Sequence, residues 1–213
     1  MRVTYQLNHY DQWHRLKVSY PLEQSRSFVK AFLQLLYCIT SNLSQDIIDI
    51  TNTSITIDNA AEANCDAGHP GLNSKDDILA MPFGINRQPA ILSDDKGIVV
   101  GTSSTAVAVA DDNLVAEIAH GTSAGQMVHY GCWGLNYTTG ASSASFDVER
   151  ILRNSSGGSI VVAEIGMYAA TSQNSGTETN SKSFCILRDV LGATVTVLNG
   201  EYLKVKYTVT VSN

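Results

Sequence analysis

The chain has 213 residues, of which 44% are apolar and 16% charged, and its formal net charge is −6. That length and apolar share sustain one substantial core or two small ones, so disorder is not the default. The acidic balance argues against a nucleic-acid-binding chain, because neutralising phosphates needs clustered Lys and Arg.

The charge is unevenly placed. Residues 1–30 hold Arg2, Arg15, Lys17, Arg26 and Lys30 against Asp11 and Glu23, a basic start on an acidic body. The opening Met-Arg-Val-Thr-Tyr-Gln lacks the apolar stretch and cleavage site of a secretory signal, so synthesis and retention in a cytoplasm are expected. The most apolar run, Phe28 to Ile39, is broken by Lys30 and Gln34 and falls short of the ~20 residues that cross a bilayer, so no membrane span is expected. Cys38, Cys65, Cys132 and Cys185 are scattered without a CxxC pair or zinc-finger spacing, which favours buried free thiols.

Taken in chain order, residues 1–26 mix aromatic and charged side chains. The alternation in Leu16-Lys17-Val18-Ser19-Tyr20 predicts one short strand inside an extended arm. A helix is expected next, with Ser25 or Ser27 as its cap. Phe28, Phe32, Leu35, Leu36 and Ile39 lie on one stripe at helical spacing, and Val29, Leu33 and Tyr37 widen it. Such a helix needs burial on more than one side, inside its own domain or under a second subunit; the second option makes Phe28, Phe32, Leu33, Leu36 and Tyr37 an assembly surface. Ile47 to Ile57 reads as β-rich. Residues 58–96 contain Pro70, Pro82 and Pro89 among Asn, Asp and Gly, the composition of an irregular acidic connection.

From Gly97 onward there is no proline, and Val, Thr, Ser, Ile and Gly dominate. Strand-like runs occur at residues 97–101, 105–110, 126–138, 143–153, 159–169, 184–190 and 201–211, most of them separated by turn formers. The chain therefore reads as mainly β: an antiparallel, jelly-roll-like β-sandwich over 97–213, preceded by an assembly segment with an arm and one helix over 1–57 and the connection over 58–96. Asn154-Ser-Ser-Gly-Gly158 and Leu198-Asn199-Gly200-Glu201 are read as hairpin turns. Asp111 to Ile118 fits either a short capped helix or an extended loop, and 172–183 reads as a polar hairpin tip.

Little in the sequence points to catalysis. Ser123 with His120, or Cys132 with His129, are the nominal nucleophile–base pairs, but an odd step along a strand puts His129 and Cys132 on opposite faces. Asp94-Asp95 and Asp111-Asp112 resemble turn and cap residues, since the alternate spacing of a calcium loop is missing. There is no phosphate-binding GxxxxGK[ST] loop and no HExxH motif, so neither cofactor nor metal is expected. Tyr130, Trp133 and Tyr137 cluster in one strand, where they either fill a core or interface or, if exposed, stack on sugars.

The segment Arg153 to Ala169, with its Asn-Ser-Ser-Gly-Gly-Ser-Ile turn and Glu-Ile-Gly-Met-Tyr strand, resembles bacteriophage tail-associated and other virion structural proteins. Leu187 to Leu191, Val195 to Gly200 and the closing Tyr-Thr-Val-Thr-Val are similar to the rest of that domain, as are Gly-Ile-Val-Val-Gly-Thr and Ile118-Ala-His-Gly upstream. The helix beginning Ser-Phe-Val-Lys resembles the opening of such chains. The resemblance implies a non-enzymatic, homo-oligomeric subunit of a tail, baseplate, fibre or connector, located in the virion and partnered by other virion proteins. A glycan-binding tip module and a hydrolase are the two rival readings.

Overall fold

The computed structural model describes residues 1–25, 28–41, 45–57, 92–175 and 178–212. Its named strands all pair antiparallel, in a six-stranded sheet, a three-stranded sheet and a two-stranded hairpin. The mainly β, antiparallel class expected from the alternation is the class observed.

The larger sheet sets β1 (Arg2–Tyr10), β11 (Tyr202–Ser212), β8 (Ser143–Asn154) and β7 (Met127–Thr139) side by side, with β2 (Leu16–Ser19) outside β1. A short β3 (Glu23–Ser25) pairs with the first half of β1. Because side chains alternate along a strand, one face of this sheet is a set of buried rungs. Tyr5, Tyr207 and Val148 form one rung, and Leu7, Val205, Arg150 and Cys132 the next. His9, Leu203, Leu152 and His129 form a third.

The smaller sheet has the order β10 (Glu178–Val197), β9 (Ile160–Ser175), β6 (Gly97–Gly101). Every residue of β9 from Val162 to Ala169 is buried, so both faces of this sheet are covered. One face meets the larger sheet, where the Tyr207 hydroxyl of β11 donates to Asp189 of β10 at 3.2 Å. The other lies under the irregular segment 102–118, whose Leu114 amide donates to the Tyr168 hydroxyl at 2.9 Å. Gly166 permits this approach, because a methyl group there would run into the Leu114 side chain. Helix α1 (Lys30–Ser41) and the hairpin of β4 (Gln45–Ile48) with β5 (Ser54–Ile57) flank β10. The Val29 amide reaches the Ile186 carbonyl at 3.3 Å and the Ile50 amide the Ser183 carbonyl at 3.0 Å.

Several expectations need correction. The N-terminal arm is instead an integral strand: β1 pairs with β11 without a register break from Arg2↔Thr210 to Tyr10↔Tyr202. Its alternating Val3, Tyr5 and Leu7 are needed to cover the core. The run 105–110 forms no strand, and 111–118 is the extended loop rather than a helix. Ser25 lies in β3 and is not the helix cap, while Ser27 and the connection over 58–91 fall outside the described residues.

Neither glycine turn closes a hairpin. β8 and β9 belong to different sheets, as do β10 and β11, so Asn154 to Gly158 and Leu198 to Glu201 are crossovers from one sheet to the other. The Gly200 amide donates to the Asn154 carbonyl at 2.7 Å, and the Asn154 amide to the Glu201 carbonyl at 3.0 Å. The Gly157 amide donates to the Asn199 side chain at 2.9 Å, completing the link between the two corners. Gly157 at φ 84° and Gly200 at φ 88° occupy the left-handed region that glycine alone enters freely.

Candidate functional site

β7 closes one edge of the larger sheet, and its two halves differ. At the start, the Met127 amide donates to the Ala119 carbonyl, the Gly121 amide to Met127 and the Leu92 amide to His129, so loops already occupy that edge. From Gly131 onward the outer edge has no backbone partner among the described residues. Trp133 lies opposite Glu149 and Leu135 opposite Asp147, on the face turned away from the rungs. Trp133 is 53% exposed, Tyr137 72% and Leu135 43%, with Tyr130 and Ile151 of β8 exposed beside them.

Ion pairs border this apolar strip. Lys204 approaches Glu149 at 3.0 Å and Lys206 approaches Asp147 at 3.8 Å, while Asp147 also accepts from Asn136 at 2.9 Å and from Thr208 at 2.6 Å. Asn136 sits at φ 55° in a bulge between Leu135 and Thr138, which bends the strand end. The structure thus brings together the expected aromatic trio of Tyr130, Trp133 and Tyr137. It adds Leu135 and Ile151, which the alternation Trp-Gly-Leu-Asn-Tyr and Glu-Arg-Ile foreshadows on the solvent-facing positions.

The helical set divides in two. Ala31 and Leu35 are buried, and Phe28 and Phe32 pack on the core with ring centroids 4.3 Å apart. Leu33 and Tyr37 face outward, 64% and 44% exposed, and the Leu36 side chain is outside the described set. Among the described side chains of this set, Leu33 and Tyr37 are the exposed ones.

The nominal catalytic pairs do not assemble. The bulge between His129 and Cys132 resets the alternation, so both side chains point into the core rather than to opposite faces. Burial raises the Cys132 thiol pKa and pushes His129 down to about 3, so neither is primed as thiolate or base. No hydrogen bond joins Ser123 to His120: the Ser123 amide donates to Gln126, and the His120 ring nitrogen Nδ1 accepts the His129 amide at 3.1 Å. Asp94 accepts the His120 amide at 2.7 Å and Asp111 the Ala108 amide at 2.9 Å, the roles of turn residues. Among the described residues no group of three or more His, Cys, Asp or Glu is placed to hold a metal ion. None of the described helices is long and apolar enough to cross a membrane.

Two buried arginines escaped the sequence reading. Arg188 donates to Glu164 and Asp111 at 2.8 Å each, and to the Thr105 carbonyl at 2.8 Å. Glu164 in turn accepts the Ala116 amide at 2.8 Å, so the pair pins segment 102–118 to the smaller sheet. Arg150 donates to the carbonyls of Tyr130, Lys96, Ile98 and Ser93, tying β7 and residues 93–98 to β8. Arg150 alternates with Val148 and Leu152, the one signal that marks it as inward-facing.

No protein-family model, curated protein or solved structure matches this chain.

Proposed function

We propose that this chain is a structural subunit of a bacteriophage particle, in its tail, baseplate, fibre or connector region, that works by assembly with further copies and with other virion proteins. The observation that carries the reading is the exposed strip of Trp133, Leu135, Tyr137 and Ile151 along a sheet edge that has no backbone partner among the described residues. Grouped aromatic and aliphatic side chains of this kind are characteristic of association surfaces, where burial supplies most of the binding free energy. Leu33 and Tyr37 on α1 add a second exposed apolar site.

The interior supports the same reading. Arg150, Arg188, Glu164 and Asn154 are fully buried, and each hydrogen-bonds to backbone that fastens a loop or corner. These bonds make a rigid module, which suits a mechanical role. The resemblance of residues 153–169 to virion proteins gives the biological setting. Mass spectrometry and labelled-antibody microscopy of intact particles test it: stoichiometric copies at a fixed location are expected, and absence from purified particles contradicts it.

The exposure of Trp133 and Tyr137 also meets the requirement of a glycan-binding face, on which a sugar ring stacks against indole or phenol. A glycan array separates the two readings, since the assembly account expects no glycan signal that depends on Trp133.

A further inference from the structure

His129 stands where two loops clip onto β7. Its amide donates to His120 Nδ1 at 3.1 Å, and its carbonyl accepts the Leu92 amide at 2.9 Å. The His120 amide reaches Asp94 at 2.7 Å, which joins the two loops to each other. The two imidazoles meet edge to face, with centroids 5.8 Å apart.

The His129 ring is completely buried and neither of its nitrogens completes a hydrogen bond. The Ser93 backbone lies close enough to favour a charged ring slightly but lacks hydrogen-bond geometry, and its carbonyl already accepts Arg150 at 2.5 Å. The charged and titratable groups acting on the ring are Arg150 from β8, His120 from one loop and Asp94 from the other. Arg150 and His120 oppose a positive charge and Asp94 favours one. The rung neighbour Leu152 offers no acceptor. A neutral imidazole is tolerated here, whereas an imidazolium is a second buried cation beside Arg150.

We propose that His129 is an acid-operated latch: while its ring is neutral, residues 92–96 and 119–121 stay clipped to β7, and proton uptake by the ring drives both segments off the strand. Proton uptake is the only chemical step, and the bulk solvent supplies the proton. In the closed form burial, Arg150 and His120 hold the ring pKa down at about 3, against 6.5 when it is free in water. Between those limits the open form gains roughly tenfold in population for each pH unit of acidification below 6.5.

Amide hydrogen exchange on the full chain tests this. After correction for the intrinsic rate, the amides of Leu92, His120, Gly121, Met127 and His129 are expected to lose protection by about 50-fold between pH 6.5 and 4.5. The β9 and β11 amides are expected to keep theirs. The His129→Leu variant is expected to abolish the loss. Persistence of the loss in that variant overturns the proposal, because a group other than the His129 ring is then responsible. If the variant does not fold, the ring proton shifts of the native chain decide: a His129 ring still neutral at pH 4.5 in the closed form is expected, and ordinary titration near 6.5 overturns the latch.

Discussion

Asn154 and Val197 belong to different sheets, and the Asn154 side-chain amide donates to the Val197 carbonyl at 2.8 Å. The same nitrogen donates to the Gly158 carbonyl at 2.7 Å, and the Asn154 side-chain oxygen accepts the Ser156 amide at 3.0 Å. One buried side chain therefore fixes both glycine-containing corners, the crossover from β8 to β9 and that from β10 to β11.

Replacing Asn154 with Ala removes the side-chain donor to the Val197 carbonyl, while the exposed Gly158 carbonyl keeps the Ser156 hydroxyl at 3.4 Å. A loss of about 2–3 kcal/mol is expected from unmade buried hydrogen bonds. Urea unfolding of the variant checks it, with an unchanged slope and a lowered midpoint. Asn154→Asp keeps the shape but loses the donor, and is expected to fall close to the Ala variant.

The Arg188–Glu164 pair is fully buried at 2.8 Å. Arg188→Met leaves a carboxylate in the core and is expected to cost about 3–5 kcal/mol. Adding Glu164→Gln removes that stranded charge, so the double variant is expected to recover part of the loss. Thermal unfolding of the two single variants and the double variant checks the coupling.

Glu117 gives stability a pH dependence of opposite sign to that of a depressed carboxylate. Burial raises its pKa from 4.5 to about 7, outweighing the Tyr168 hydroxyl that donates to it at 2.8 Å. A raised folded-state value means that its contribution is fully present below pH 4.5 and is lost as pH rises through 7. The loss amounts to about 3 kcal/mol at most. Glu117→Gln is expected to unfold at higher denaturant than the native chain at pH 8, and to flatten the dependence between pH 5 and 8.

Cys132 and Cys185 are buried free thiols, and burial raises the pKa of both. Iodoacetamide is expected to leave both unmodified in the folded chain at pH 8 and to alkylate both in guanidinium. Peptide mapping by mass spectrometry reads the result.

The strands were legible because alternation is local. In Leu203, Val205, Tyr207 and Val209, residues of one chain segment carry the whole signal. Their partners were not legible, because Asn199-Gly200 and Ser156-Gly157 have the same turn chemistry whether the chain doubles back or changes sheets. The pairing of the N-terminal segment is hidden for the same reason: β1 finds its neighbour β11 some 200 residues away in sequence. The exposed trio on β7 was visible as a cluster, but its exposure depends on which loops reach that edge. Simple alternation separates His129 and Cys132 because it ignores the bulge between them, of which Gly131 inside the strand is the one residue signal.

Assembly through the β7 strip is the central claim, and sedimentation velocity over a hundredfold concentration range tests it most directly. The native chain is expected to shift to larger species with concentration, and the Trp133→Ser, Leu135→Ser double variant to stay monomeric with an unfolding midpoint close to native. A native chain that remains a monomer throughout, or a double variant that assembles as well as the native chain, contradicts the account.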